Sequence, residues 1–200
     1  NTITLSEDEA KHCIKSLRKE IGDEVSVVDG KGNLYITKLD NFDKKTCELT
    51  IQETIKEFGK QNNYIHVAIA PTKNLSRIEW FVEKAIEIGV DEISFIECKN
   101  SERNIIKLDR TQRIAISAMK QSVKGYLPKI NDMQQFSALI SSCVEENKFI
   151  GYLGEKCRNL SSVQSTNSCI FIGPEGDFTS SEITYAEEQG FETVSLGDRR

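Results

Sequence analysis

The alternation of apolar and polar positions changes style once along this 200-residue chain. Near the start, Ser6-Glu7-Asp8-Glu9 has the form of a capping box, with the Ser6 hydroxyl placed to accept from the Glu9 N–H, and predicts a short helix over 7–18. From Glu24 the period becomes two. Val25 and Val27, then Leu34 and Ile36, then Cys47, Leu49 and Ile51 alternate with polar residues. Asp29-Gly30-Lys31-Gly32 separates the first two runs, and Asp-Gly there signals a hairpin because type I′ turns need φ > 0 at both central positions. Residues 1–62 are thus expected to form a small, mainly antiparallel β-barrel or sandwich, ending at the polar stretch Phe58-Gly59-Lys60-Gln61-Asn62-Asn63.

Beyond that stretch, over 63–200, strand and helix patterns alternate. His66-Val67-Ala68-Ile69-Ala70 is a continuous apolar run ending at Pro71, as suits a strand covered on both faces. Ser76-Arg77-Ile78-Glu79 reads as a second capping box, opening a helix whose Ile78, Phe81, Val82, Ala85 and Ile86 share one face, with Gly89 as its stop. Strand-like 93–96, helix-like 108–124 and 135–146, strand-like 148–153 and 169–172, helix-like 180–189 and strand-like 193–196 follow. This order specifies an α/β domain with a mainly parallel sheet, and periodicity alone points to a doubly wound arrangement.

The six cysteines contain no C-x-x-C, and the only two histidines, His12 and His66, stand outside any zinc-ligand spacing. No metal is expected, the thiols read as reduced and buried, and both histidines read as structural. No stretch approaches 18 uncharged apolar residues and the first 20 residues are charged, so a cytoplasmic protein with no membrane segment is expected. Net charge is −5, but 99–129 carries eight basic residues against two acidic ones and is therefore +6. That segment is either a solvated helix face or a local phosphate-binding surface.

Ligands of open parallel sheets sit beyond the carboxyl ends of strands. The most informative such point is the apolar Cys169-Ile170-Phe171-Ile172, which runs into Gly173-Pro174-Glu175-Gly176-Asp177-Phe178 and a third capping box, Thr179-Ser180-Ser181-Glu182. Pro174 suits the second position of a tight turn and Gly176 the fourth, giving either a ligand loop or a generic strand-to-helix connection.

The string 172–178, with Glu182 and with Val194-Ser195-Leu196-Gly197 one helix later, resembles the cofactor loops of the SPOUT methyltransferases, specifically the RsmE-type 16S rRNA uracil-N3 methyltransferase family. The likeness spans the chain. Leu17-Arg18, Gly22-Asp23 and Asp29-Gly30-Lys31-Gly32 are similar to that family's PUA-like domain. Pro71-Thr72-Lys73, Trp80, Lys84-Ala85, Glu87-Ile88-Gly89-Val90, Ser101-Glu102-Arg103, Gln121-Ser122 and Leu127-Pro128 are similar to its methyltransferase domain. The resemblance implies a PUA-like β-barrel over 1–62, a trefoil-knotted α/β methyltransferase domain over 63–200, a homodimer, and methylation of a small-subunit rRNA uridine by S-adenosylmethionine on rRNA or the 30S particle. A tRNA substrate, or an RNA-binding module without catalysis, are the alternatives.

On that resemblance Leu153, Gly154, Gly173, Pro174, Glu175, Gly176, Leu196 and Gly197 are the cofactor-binding candidates. Glu175 either orients substrate and accepts a proton or holds loop amides, and Arg199 and Arg200 either stabilise the uracil oxygens or form an exposed pair. Lys15, Arg18, Lys73, Arg103, Arg113, Lys120, Gln121 and Lys124 are the RNA-binding candidates, with Lys120 and Lys124 expected on one helix face. The family pattern Leu-Gly-x-x-Ile-Leu-Arg-x-Glu-Thr-Ala breaks off here at Arg200, so further chain is expected after it.

Overall fold

A computed structural model of the protein describes residues 1–43, 45–154, 157–163 and 165–197, which divide into two compact units. The first comprises Asn1–Lys60 together with Val123–Tyr126. Its strands β1 (Thr2–Leu5), β2 (Glu24–Val28), β3 (Leu34–Phe42) and β4 (Cys47–Ile55) form an antiparallel sheet in the order β1-β4-β3-β2. Helix α1 (Glu7–Lys11), prolonged by a π-helical turn His12–Ser16, buries Ala10 and Cys13 against Leu39, Cys47 and Leu49. The period-two pattern identifies the inward face at Val25, Val27, Cys47 and Leu49. A β-bulge between Ile36 and Thr37 changes the phase of β3, so that Thr37 and Leu39 rather than Ile36 are fully buried.

Two local expectations fail. Ser6 is the N-cap of α1, but its side chain makes no capping hydrogen bond. The β2–β3 connection is a five-residue loop rather than a two-residue I′ turn, because the Asp29 carboxylate gathers the loop around itself. It accepts from the N–H groups of Lys31 and Asn33, at 2.8 and 3.1 Å, and from the Asn33 amide and the Tyr35 hydroxyl. Gly30 and Gly32, at φ +71° and +96°, supply the left-handed residues that such a loop needs.

The second unit comprises Gln61–Ser122 and the chain from Leu127 onward. Strands β5 (Tyr64–Ile69), β6 (Glu92–Glu97), β7 (Lys129–Gln135), β8 (Asn147–Gly151), β9 (Arg158–Asn159), β10 (Asn167–Ile172) and β11 (Glu192–Ser195) are parallel throughout, in the order β7-β6-β5-β10-β8-β11-β9. Helices α2 (Leu75–Ile88), α3 (Leu108–Gln121), α4 (Phe136–Ser142) and α5 (Ser180–Glu188) complete it. Its main core surrounds Phe171, whose ring meets Phe136 and Phe191 edge-on at centroid distances of 5.9 and 5.0 Å. Each such pair contributes about 0.5–1.5 kcal/mol beyond its buried area.

Helix ends follow the sequence unevenly. Gly89 closes α2 at φ +109°, and Thr179 and Glu182 make the reciprocal capping box of α5. Helix α2, however, begins at Leu75, since Asn74 rather than Ser76 is the N-cap and accepts from the Ser76 N–H. Glu79 is instead forked by the Arg110 guanidinium. Helix α3 stops at Gln121, and Val123 takes φ +50°, so Lys124 stands outside the helix and in the first unit. Lys120 and Lys124 thus do not share a helical face. Among the described residues no helix is long and apolar enough to cross a membrane.

Candidate active site

Three adjacent strands, β10, β8 and β11, deliver their carboxyl ends to one place, and a cavity of about 610 Å³ opens there. Its lining includes Leu153 and Gly154 after β8, Gly173, Pro174 and Glu175 after β10, and Leu196 and Gly197 after β11. The structure thus brings together seven of the eight residues expected to bind cofactor. Gly151, Tyr152, Cys157, Asn159, Ile172, Asp177 and Ser195 line the cavity as well. Of these, Ile172, Gly151 and Ser195 had a usable signal, since they are the last residues of β10, β8 and β11, whose ends point at the site.

The walls are held by backbone. Tyr152 N–H donates to the Val194 carbonyl at 2.9 Å, locking the start of the β8 loop onto β11, while the Ser195 hydroxyl accepts from the Gly197 N–H at 3.2 Å. Gly197 lies at φ +128°, where a side chain would be strained. Leu153 and Leu196 are 62% and 56% exposed, so the cavity offers two large apolar side chains without a protein cover.

Glycines in the β10–α5 loop also make room for neighbouring side chains. A Cβ at Gly173 would stand 3.0 Å from the buried Phe178 ring, and one at Gly176 would stand 3.1 Å from Asn100 Cβ. Gly176 is not part of the cavity wall; it lets Asn100 approach and donate its amide to the Gly176 and Asp177 carbonyls, both at 3.1 Å. The tight turn is also shifted by one residue, since Asp177 N–H donates to the Pro174 carbonyl and makes Pro174 its first position. Asp177 takes the left-handed φ of +61° that follows.

Glu175 lines the cavity and accepts from the Lys73 N–H at 3.0 Å. That bond is the loop-holding role. The neighbouring loops are stitched in the same way, with Lys99 N–H donating to Glu182 at 2.8 Å and Arg103 to the Lys73 carbonyl at 3.0 Å. Burial and the Glu182 carboxylate together push the Cys98 thiol beneath this stitch up to about 12, so it stays protonated. Arg199 and Arg200 lie outside the described residues.

Of the RNA-binding candidates, Lys15 and Arg18 are exposed in the first unit, and Lys73, Arg113, Lys120 and Gln121 are exposed in the second. Arg103 is half-buried and already committed to Lys73. The basic segment is less unbalanced than its count, because Arg110 pairs with Glu79 and Lys129 with Glu92, two acids outside it.

The two units together place the chain in the class of RNA methyltransferases. The RNA methyltransferase domain family matches residues 60–200, and the RNA methyltransferase PUA domain family matches residues 5–52. The chain belongs to the ribosomal RNA small subunit methyltransferase E family. The member from Mesomycoplasma hyopneumoniae (strain 232) is 33% identical over 157 residues, covering 74% of this chain and 68% of the relative. The crystal structure of a probable rRNA-methyltransferase from Porphyromonas gingivalis superposes with a TM-score of 0.91 at 38% identity, over 98% of this chain and 85% of that one. That of a ribosomal RNA small subunit methyltransferase E from Neisseria gonorrhoeae, bound to S-adenosyl methionine, gives 0.89 at 25% identity, over 100% and 85%.

Proposed function

We propose that the chain transfers the sulfonium methyl of S-adenosylmethionine to N3 of a uridine in small-subunit rRNA, as a cytoplasmic homodimer with the family's trefoil knot. The observation that carries this reading is the convergence of the loops after β8, β10 and β11 on one cavity of about 610 Å³. That size suits a cofactor of this class, and the donor set fits it too. Leu153 and Leu196 offer apolar cover for an adenine ring, while the glycine-rich walls around Gly154, Gly173 and Gly197 leave backbone polar groups approachable.

The chemistry supplied by the bound cofactor is an electrophilic methyl. The N3–C bond forms as the S–CH₃ bond breaks, and the N3 proton must leave. We assign Glu175, whose Oε1 is fixed by the Lys73 N–H at the cavity wall, to orienting the uracil and accepting that proton. Arg199 and Arg200 are assigned to the developing charge on the uracil oxygens. In-line attack makes positioning the larger contribution, which is why stitched, backbone-held loops suit the task. Exposed bases are read while Lys15, Arg18, Lys73, Arg113 and Lys120 hold phosphates.

Isothermal titration with S-adenosylmethionine should show one site per chain, and methyl transfer should occur on 30S particles or rRNA. An absence of cofactor binding sinks the enzyme reading, while transfer to tRNA alone replaces the substrate. Light scattering at micromolar concentration should give the mass of a dimer.

A further inference from the structure

The opposite ends of the same strands carry a second concentration of chemistry. At the amino-terminal ends of β5, β6, β8 and β10 lies a cavity of about 640 Å³, lined by Tyr64, His66, Glu92, Cys143 and Glu145 among others. His66 is 4% exposed and Glu145 7%, and the imidazole Nδ1 lies 2.5 Å from Glu145 Oε1. Cys169, on β10, is fully buried beside them. One donor atom from each of His66, Glu145 and Cys169 lies within 4.8 Å of the other two.

We propose that His66 Nδ1, Glu145 Oε1 and Cys169 Sγ form a binding site for a borderline divalent transition-metal cation, of which zinc is the type. The donor set selects that class. A thiolate with an imidazole disfavours calcium and magnesium, which take all-oxygen shells, whereas three protein ligands and one open position form a recurring zinc arrangement. His66 and Glu145 line the cavity, which provides the entry path.

The surroundings fix the orientation of the His66 and Glu145 donors. Ser94 Oγ lies 2.8 Å from His66 Nε2 and also accepts from the Asn131 amide at 2.8 Å. Without a metal the 2.5 Å contact holds a proton between Nδ1 and Glu145 Oε1. On binding, that proton shifts to Nε2, where Ser94 Oγ accepts it, and the Nδ1 lone pair turns to the metal. Glu145 Oε2 is occupied separately, accepting from the Cys143 thiol and the Val144 N–H, each at 3.0 Å, so Oε1 is the oxygen presented. Glu92 lies 3.9 Å from Nε2 and is itself held by Tyr64, Lys129 and Asn131. Bonds of about 2.0–2.3 Å place tetrahedral ligands about 3.3–3.8 Å apart, so closing the cluster needs a movement of about 1 Å. The protons balance: the one between His66 Nδ1 and Glu145 Oε1 moves to Nε2, and the metal displaces the Cys169 thiol proton to solvent.

The test is titration of the chelator-treated, full-length protein with Co²⁺. One equivalent per chain should develop a thiolate-to-cobalt charge-transfer band in the near ultraviolet, lost on adding Zn²⁺. Cys169→Ala should abolish the band, Glu145→Gln should weaken affinity at least tenfold, and Cys157→Ala, at the other end of the strands, should leave the band intact. Absence of the band in the unaltered protein, or a band lost in Cys157→Ala but kept in Cys169→Ala, overturns the site. X-ray absorption of the zinc-loaded, unaltered protein decides independently of how the variants fold. One sulfur at about 2.3 Å among nitrogen and oxygen supports the proposal, and a shell without sulfur refutes it.

Discussion

Replacing Gly173 by valine tests both halves of the cofactor loop at once. The new Cβ would stand 3.0 and 3.1 Å from Phe178 Cε2 and Cδ2, and that ring is 5% exposed and packed against Phe136 at a centroid distance of 5.4 Å. The ring cannot swing into solvent. It must shift by a few tenths of an ångström within a filled core, an overpacking that costs about 1–3 kcal/mol. Against a total stability of about 5–15 kcal/mol the protein remains folded. Gly173 also lines the cavity, and a β-branched residue that restricts and displaces the backbone there should lower affinity for S-adenosylmethionine at least tenfold. Urea unfolding and calorimetric titration of Gly173→Val, Phe178→Leu and the double variant separate the two effects. In the Phe178→Leu background, where the ring is gone, Gly173→Val should cost little stability yet still abolish binding. Recovery of affinity along with stability would show that Gly173 acts only through Phe178, and would refute its place against the cofactor.

Thr179→Ala removes the reciprocal cap of α5 and should lower stability by about 0.5–2 kcal/mol in the same unfolding assay. Burial raises the Asp29 carboxyl, but the Asn33, Lys31 and Tyr35 donors together outweigh it and hold it below its usual value. A depressed folded value means the contribution is present above the ordinary carboxylate pKa and is lost as pH falls through the folded one, so Asp29→Asn should destabilise at pH 7 and hardly at all near pH 2, read by thermal melts. Arg113→Ala with Lys120→Ala, seven residues apart on α3, should leave cofactor affinity unchanged. It should reduce the slope of log rRNA affinity against log salt by about 0.7–0.9 for each phosphate no longer neutralised. An unchanged slope would move the RNA path to Lys15 and Arg18.

The cofactor loops were legible because their signals are local: an apolar strand, a glycine at its end and a capped helix immediately after. The same grammar failed at Ser6 and Ser76, where a capping-box spelling is present but the competition is not. Asn74, two residues upstream, takes the N–H of Ser76, and nothing in the string says that Glu79 has an arginine 31 residues away. Strand β7 escaped because Lys-Ile-Asn-Asp-Met-Gln-Gln has only two apolar residues, which suffices for a strand at the sheet edge with one neighbour. The His66 cluster has no spacing signature at all, since its members stand 79 and 24 residues apart in sequence and meet only through the parallel order of β5, β10 and β8.

The membership of Val123–Tyr126 in the first unit bears on how the protein is made. Gly32 N–H donates to the Gly125 carbonyl at 2.8 Å, Lys31 pairs with Tyr126 in an isolated bridge, and the Tyr126 ring occupies the space where a Gly32 side chain would be. On a ribosome the first 60 residues therefore emerge without the tetrapeptide that completes them, and wait for 66 more to be synthesised. At about 5–20 residues per second that interval is about 3–13 s. During it the glycine loop lacks its tyrosine lid, and both α2 and α3 are synthesised before the tetrapeptide that supplies it. Expression of residues 1–60 alone would preserve that unfinished state indefinitely, whereas a fragment extended to Tyr126 would carry every residue of the unit.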